Sequence, residues 1–468
     1  MAVIMYSAGN EFQFCDFGDK RITKRLMNFA QTISNNPETS INAACGHAKD
    51  SKAAYRLLKN PKIKTEQILQ GHIDNTIQRI KNDPCDHILI IQDTTDLIYT
   101  QFPSVEGLGK NHQGVDYESP VRGLMLHNSL ALAANGIPLG LLKQTYFTSE
   151  DYEKKREVEG LKDCKHKNVP VEFKKSFRWL EHFEETQNLV DHLNKTIIHI
   201  ADREADIYDL LHKIVIKSGN YIIRSSWNRR TQEGLKFHDT DNLENKLNNL
   251  PPAGIIKICK DRKEYQCTIK FTEVSLKPPQ RLPGAKKCKF APISTSIVEI
   301  LGKEKYGKQI YWRLLSNLPC KSLEEALKII DYYTKRWPVE SFHRILKSGF
   351  GVENARLKSR SRLEVFSSII SVVSWHIFWL YHLGRICPKL SVKEFLDPIS
   401  LKVLNISAKN IGIKTSGFFS IKKAVLIIAR LGGFIARKSD GPPGMKSIWR
   451  GWRNLQERLE FYDALRCG

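Results

Sequence analysis

Long apolar runs alternate with basic and polar stretches along the chain, and the period of each run predicts the element it forms. His87-Ile88-Leu89-Ile90-Ile91-Gln92 is apolar without alternation and closes on Asp93, the pattern of a strand buried on both faces. Thr196–Ala201 repeats the pattern and closes on Asp202. Between them, Met125–Ala134 and Ile137–Phe147 flank Asn135-Gly136, a pair suited to the two positive-φ positions of a tight hairpin turn. A helical period over about residues 171–193 puts Phe177, Leu180, Phe183 and Leu189 on one side. The order strand, hairpin, helix, strand predicts an α/β domain.

The flanks read differently. Ile22, Leu26, Phe29, Ala30 and Ile33 recur at helical spacing near the N-terminus, with Lys20, Arg21, Lys24 and Arg25 crowding the first turns. A helix N-terminus gains nothing from positive charge, so these residues serve either phosphate contact or an ordinary solvated face. From Arg224 to Trp312 the runs shorten and are broken by Pro251-Pro252 and Pro278-Pro279, which predicts an inserted β subdomain at about 225–312. Ser322 with Glu325 three residues on forms a capping box that opens a helix through Arg336, and Pro338 marks the first turn of a second helix or a bend. Val365–Gly384 carries no formal charge and is long enough to span hydrocarbon, but its serines and histidines favour a buried helix of a soluble domain. Trp452, Leu455, Leu459 and Tyr462 form an apolar seam on the last helix, able to pair with another helix or to pack within the chain.

Composition narrows the class. The 468 residues are 41% hydrophobic, with 21 Phe, 15 Tyr and 8 Trp, which excludes general disorder. Lys and Arg number 73 against 50 Asp and Glu, a formal charge of +23 that predicts a polyanionic partner, nucleic acid before an anionic membrane. Residues 224–312 hold 18 Lys and Arg against 9 Asp and Glu, and the last 68 residues hold 13 against 4, so the excess flanks the helices near residue 340. The N-terminal MAVIMYSAGNEF lacks a basic region and a long apolar stretch, so no signal peptide is read and a cytoplasmic location is expected. The 10 cysteines form no C-x2-C pair and are expected to be reduced thiols.

Candidate chemistry lies at the strand ends. Two carboxylates brought together repel unless a cation neutralises them, and a divalent metal with open positions for phosphate oxygens does this. Asp93 and Asp202 are candidates for that role, although Asp is also common in caps and turns. Tyr333, Arg336, Glu340 and Lys347 follow at steps of three, four and seven, which on one continuous helix would share a face. A carboxylate flanked by phosphate-binding cations suits phosphoryl transfer on DNA, and a plain i,i+4 salt bridge from Arg336 to Glu340 fits the same spacing.

Ile91-Gln92-Asp93-Thr94-Thr95, then Ala201-Asp202-Arg203-Glu204-Ala205-Asp206-Ile207, then Tyr333-x2-Arg336-x3-Glu340-x6-Lys347 together resemble the bacterial DDE transposases of the IS-four family, relatives of the transposon Tn-five transposase. The similarity extends to Gly18-Asp19-Lys20-Arg21, Ala54-Tyr55-Arg56, Arg224-Ser225, Trp312, Ala429–Phe434 and Trp449-x2-Trp452. It implies a ribonuclease-H-like catalytic domain at 71–384 with the β insertion, an end-binding helical domain at 1–70, and a helical DNA-contacting and dimerisation domain at 385–468. Asp93, Asp202 and Glu340 would be both the catalytic residues and the ligands of two Mg2+ ions, with Mn2+ able to substitute. Tyr333, Arg336 and Lys347 would hold phosphates, with Arg344 standing where relatives can carry Lys. Trp312 would stack a flipped-out base at a DNA hairpin, and Trp337 could share that task. Arg224, Lys20, Arg21, Lys24 and Arg25 complete the expected DNA contacts. The implied partners are double-stranded DNA, as transposon ends and target, and a second copy of the chain in a synaptic homodimer. A related nuclease that never joins ends and a non-catalytic DNA-binding inhibitor are the alternatives, and the joint presence of three acids favours the enzyme.

Overall fold

The computed structural model describes residues 7–111, 121–165, 168–232, 241–260, 263–279, 290–303, 309–415 and 419–467. Helices α1 (Lys20–Asn35), α2 (Ile41–Cys45), α3 (Ala48–Lys59) and α4 (Thr65–Asn82) precede strands β1 (His87–Ile98), β2 (Gly109–Asn111), β3 (Val121–Ala133) and β4 (Pro138–Phe147). Helices α5 (Ser149–Val158) and α6 (Phe177–Val190) lead to β5 (Thr196–Ala201), α7 (Tyr208–Ile216), β6 (Asn220–Arg224) and α8 (Leu243–Asn248). Strands β7 (Gly254–Lys260), β8 (Lys263–Leu276), β9 (Ile293–Lys303) and β10 (Gln309–Ser316) follow. The chain closes with α9 (Leu323–Thr334), α10 (Pro338–Arg344), α11 (Arg360–Ile386), α12 (Pro398–Asn410), α13 (Ile421–Leu431) and α14 (Met445–Cys467).

Among the described residues the strands form one ten-stranded sheet in the order β2-β3-β1-β5-β6-β10-β9-β8-β7, with β4 also pairing β3. β4, β3 and β1 are antiparallel neighbours, while β5 and β6 run parallel to β1. This mixed α/β layout with flanking helices is consistent with the ribonuclease-H-like expectation. Alternate side chains of β1 feed separate cores: Leu89 and Ile91 join one cluster and Ile88 and Ile90 another. That division explains why the strand reads as an unbroken apolar run.

Two local expectations change. β1 does not stop at Asp93 but continues to Ile98, because β3 keeps pairing it after β5 has ended. Of the Asn135-Gly136 pair only Gly136 takes positive φ, at 92°; Asn135 instead accepts a hydrogen bond from Ile137 N on its side chain at 3.0 Å. Strands β7–β10 add to the edge of the main sheet, with β10 pairing β6.

The capping box at Ser322 forms as expected. The long apolar segment is helix α11, 27 residues long, and 89% of its most apolar window is buried inside the protein. Two of its serines are hydrogen-bonded: Ser371 Oγ donates to Ser367 O at 2.8 Å, and Ser368 Oγ pairs with Tyr146 Oη at 3.1 Å. The seam of α14 packs within the chain, with Trp452 and Leu455 buried and Leu459 and Tyr462 partly so. Cys15, Cys45, Cys85, Cys164, Cys267, Cys320 and Cys387 are free thiols.

Candidate active site

Strand register builds the site. β1 and β5 are parallel with Ile91 beside Ile200, and two residues further each chain carries its aspartate, Asp93 and Asp202. Asp202 leaves the strand and caps the turn Arg203–Ala205, accepting from Glu204 N at 2.9 Å. Glu340 comes from α10, which Pro338 opens at the one helical position where a missing N–H costs nothing.

The four residues expected on one helix are spread over four segments, because the chain breaks between α9 and α10. Tyr333 lies in the last turn of α9, Arg336 in the link, Glu340 in α10 and Lys347 in the π-helical turn Ile345–Gly349. Arg336 nonetheless ties the group together. Its Nη2 lies 2.7 Å from Glu340 Oε1, the i,i+4 contact foreseen from the spacing, and its Nη1 lies 3.6 Å from Asp93 Oδ2. Arg336 Nε is buried without a hydrogen-bond partner. Lys347 turns away to Glu353, 3.7 Å distant.

Asp93 is under electrostatic stress. Burial, with Asp202 and Glu340 adding repulsion, pushes its carboxyl up to about 7 against the pull of Arg336. His343, which sequence reasoning missed, faces the same carboxylate with Nδ1 at 3.8 Å. Gln144 Nε2 donates to Asn128 Oδ1 at 2.5 Å, and Asn128 Nδ2 donates to His343 Nε2 at 2.9 Å. This chain leaves Nδ1 as the protonated nitrogen, aimed at Asp93. Burial, then Lys347 and Arg336, push the imidazole down to about 3, so it faces Asp93 as a neutral ring, just beyond hydrogen-bond distance. The histidine occurs three residues after Glu340, but its partner Asn128 is distant in sequence and no local period reveals it.

The remaining expected residues divide by exposure. Lys20, Arg21, Lys24 and Arg25 are exposed on the first turns of α1, and Arg344 is exposed on α10. Arg224 is half-buried and donates to Tyr311 O at 2.7 Å. The Tyr333 hydroxyl is within reach of both Arg224 and Arg336, and burial raises its pKa. Trp312 departs from expectation. It is only 4% exposed and packs edge-on to Tyr333 at 5.3 Å and to Trp337 at 5.5 Å.

The donor set suits a divalent cation. Two aspartates and a glutamate offer hard oxygen ligands, and the burial of Asp93 and its repulsion by Asp202 and Glu340 are what such an ion would relieve. Among the described residues no three ligand side chains are gathered into a closed cage. Glu340, whose side chain is 61% exposed, is turned toward Arg336 instead.

Three family models match the chain: Transposase DNA-binding over residues 5–63, Transposase DDE domain over 181–375 and Transposase Tn5 dimerisation domain over 372–466. The DDE match contains Asp202 and Glu340, and Asp93 precedes it. A catalytic match joined to a DNA-binding module defines a DNA-binding DDE transposase, a metal-dependent enzyme that cuts DNA. With the Tn5 dimerisation match added to these two, the chain belongs to the Tn5-related DDE transposases.

Proposed function

We propose that this chain performs cut-and-paste transposition: hydrolysis at the transposon end, hairpin formation on that end, reopening, and transfer of the freed 3′ ends to target DNA. The observation that carries the reading is the register that sets Asp93 beside Asp202, with Glu340 tied to Asp93 through Arg336. These three carboxylates would hold two Mg2+ ions, or Mn2+ in their place, which when bound supply Lewis-acid stabilisation and an activated water or 3′-hydroxyl. The protein's own groups then have separate tasks. Arg336 has an unpartnered Nε with which to take a phosphate oxygen, and Arg224, Tyr333, Arg344 and Lys347, as the rest of the Tyr-Arg-Glu-Lys surroundings, orient the strand. The basic turns of α1 hold duplex phosphates in an end-binding domain at 1–70.

Residues 71–384 act as the catalytic domain with β7–β10 as its insertion, and 385–468 pair two copies in a synaptic complex. Phe461 and Leu465, exposed on α14, offer apolar surface for that pairing. An enzyme acting on chromosomal DNA works in the cytoplasm, at the nucleoid.

Asp93→Ala, Asp202→Ala and Glu340→Ala are each expected to lower Mg2+-dependent cleavage by roughly a thousandfold or more, several kcal/mol of lost transition-state stabilisation. The substrate is a duplex carrying an inverted repeat identified in the DNA flanking the gene, and DNA binding should survive each change. Near-parent cutting and joining by any one variant removes that residue from the triad. A parent protein that cuts and never joins is the related nuclease instead.

A further inference from the structure

The second acid of the Asp202–Asp206 string lies apart from the catalytic group. The Asp206 side chain is completely buried, and its carboxylate takes every one of its hydrogen bonds described here from the loop that follows β6. Ser225 Oγ, Ser226 N and Trp227 N donate to Oδ2 at 3.1, 2.7 and 3.1 Å, while Arg229 Nε and Nη2 donate to Oδ1 at 2.8 and 2.6 Å. Ser226 Oγ also donates to Arg203 O at 2.7 Å, which fastens the loop one residue from Asp202. A loop organised this tightly presents its tip in a single position. The tip is Trp227, 65% exposed, whereas the other seven tryptophans are buried or partly so.

An indole left in water forgoes the burial that normally stabilises it, so its place needs another account. Its surroundings supply one: Arg203 and Arg230 are exposed on the same loop cluster, and Arg224 ends the strand from which the loop springs. Cations beside an open aromatic face form a surface for nucleic acid, where the ring stacks on a base and the cations hold the backbone. A base inside a duplex offers no free face along its stack, so the ligand is an unpaired one. Trp312, the aromatic expected in such a role, is buried against Tyr333 and Trp337.

We propose that Trp227 is a stacking platform for an unpaired nucleobase of the DNA strand lying at Asp202, and that Asp206 is the positioning residue that holds it there. The proposal rests on the transposase reading above and adds a contact to it. The test titrates the full chain, in EDTA so that nothing is cut, with a fully paired duplex and with a forked duplex carrying 2-aminopurine in its unpaired arm. The parent should prefer the fork and alter 2-aminopurine fluorescence. Trp227→Ala should lower the fork-over-duplex preference about tenfold, within the range measured for one stacked base, and Trp227→Phe should keep most of it. Asp206→Asn should fall between the two with an unchanged circular dichroism spectrum; if that variant does not fold, the exposed Trp227 changes decide the matter. An Ala variant with the parent's preference, or a parent with no preference for the fork, overturns the stacking role and leaves the transposase reading standing. A parent that binds neither DNA overturns both.

Discussion

Two clusters in this protein use the same three kinds of side chain, a carboxylate, an arginine and a histidine, and drive their carboxylates in opposite directions. At Glu11 the partners are close: His72 Nδ1 lies 2.5 Å from Oε2 and Arg79 Nη1 lies 2.9 Å from Oε1, both residues coming from α4. Burial alone would raise the Glu11 pKa, but Arg79 and His72 overcome it and hold the group down at about 2. At Asp93 the arginine and histidine stand at 3.6 and 3.8 Å, two further acids lie nearby, and the carboxyl rises to about 7.

The distances explain the difference. A buried charge is stable only when its partners are close and its hydrogen bonds are complete. The Glu11 cluster meets that condition internally and ties the N-terminal helices to the catalytic body, with Arg79 lying 4.2 Å from the centre of the Trp375 ring on α11. The Asp93 cluster does not meet it. It keeps an unpartnered Arg336 Nε, a loosely placed Glu340 and a stressed aspartate, which are the groups that a cation and a phosphate would satisfy.

The sharpest way to break this comparison is to remove each carboxylate in turn. Glu11→Ala leaves Arg79 buried without its partner and should cost about 3–5 kcal/mol, read as a lower urea midpoint. Asp93→Asn in metal-free protein should raise stability by on the order of 1 kcal/mol, read as a higher urea midpoint, because it removes repulsion rather than a bond. Equal losses in the two variants would show that the clusters do not differ in kind.

The pH dependence should separate them next. Glu11 has a folded pKa lowered from 4.5, so its stabilisation is present above that value and is lost as pH falls toward 2. Asp93 has a folded pKa raised from 3.8, so its contribution is present below that value and is lost as pH rises toward 7. Unfolding midpoints across this range in EDTA should lose the acid-side fall in Glu11→Gln and the fall from pH 4 to 7 in Asp93→Asn. If each variant keeps the parent's profile, the two carboxylates do not titrate as described.

The smallest effect concerns orientation. His343→Phe removes the N–H facing Asp93 and should weaken Mg2+ binding about tenfold, the lower range for a residue that orients a metal ligand. Calorimetric titration of the full chain with Mg2+ checks this, and an unchanged affinity would leave His343 as a packing residue only.

Much of the site could be read from residue order. Asp93 and Asp202 were recognisable because each follows an unbroken aliphatic run, and Pro338 announced the helix break that places Glu340. His343, Asn128 and Gln144 were not recognisable as a chain, since their contacts join α10 to β3 and β4. The burial of Trp312 was not legible for the same reason: exposure is a property of neighbours, and Tyr333 and Trp337 pack on it only once α9 and β10 are in place.

By itself the sequence determined the strand cores, the capping box at Ser322, the basic turn at Lys20–Arg25 and the buried character of α11, because each depends on residues within a few positions of one another. Only the tertiary structure decided that Asp93 stands in mid-strand beside Asp202, that Arg336 bridges Asp93 and Glu340, and that Trp227 rather than Trp312 faces solvent. Those outcomes depend on strand register and on helices packed from distant parts of the chain, and a pattern with a period of two or 3.6 residues carries no information about which distant element will lie alongside.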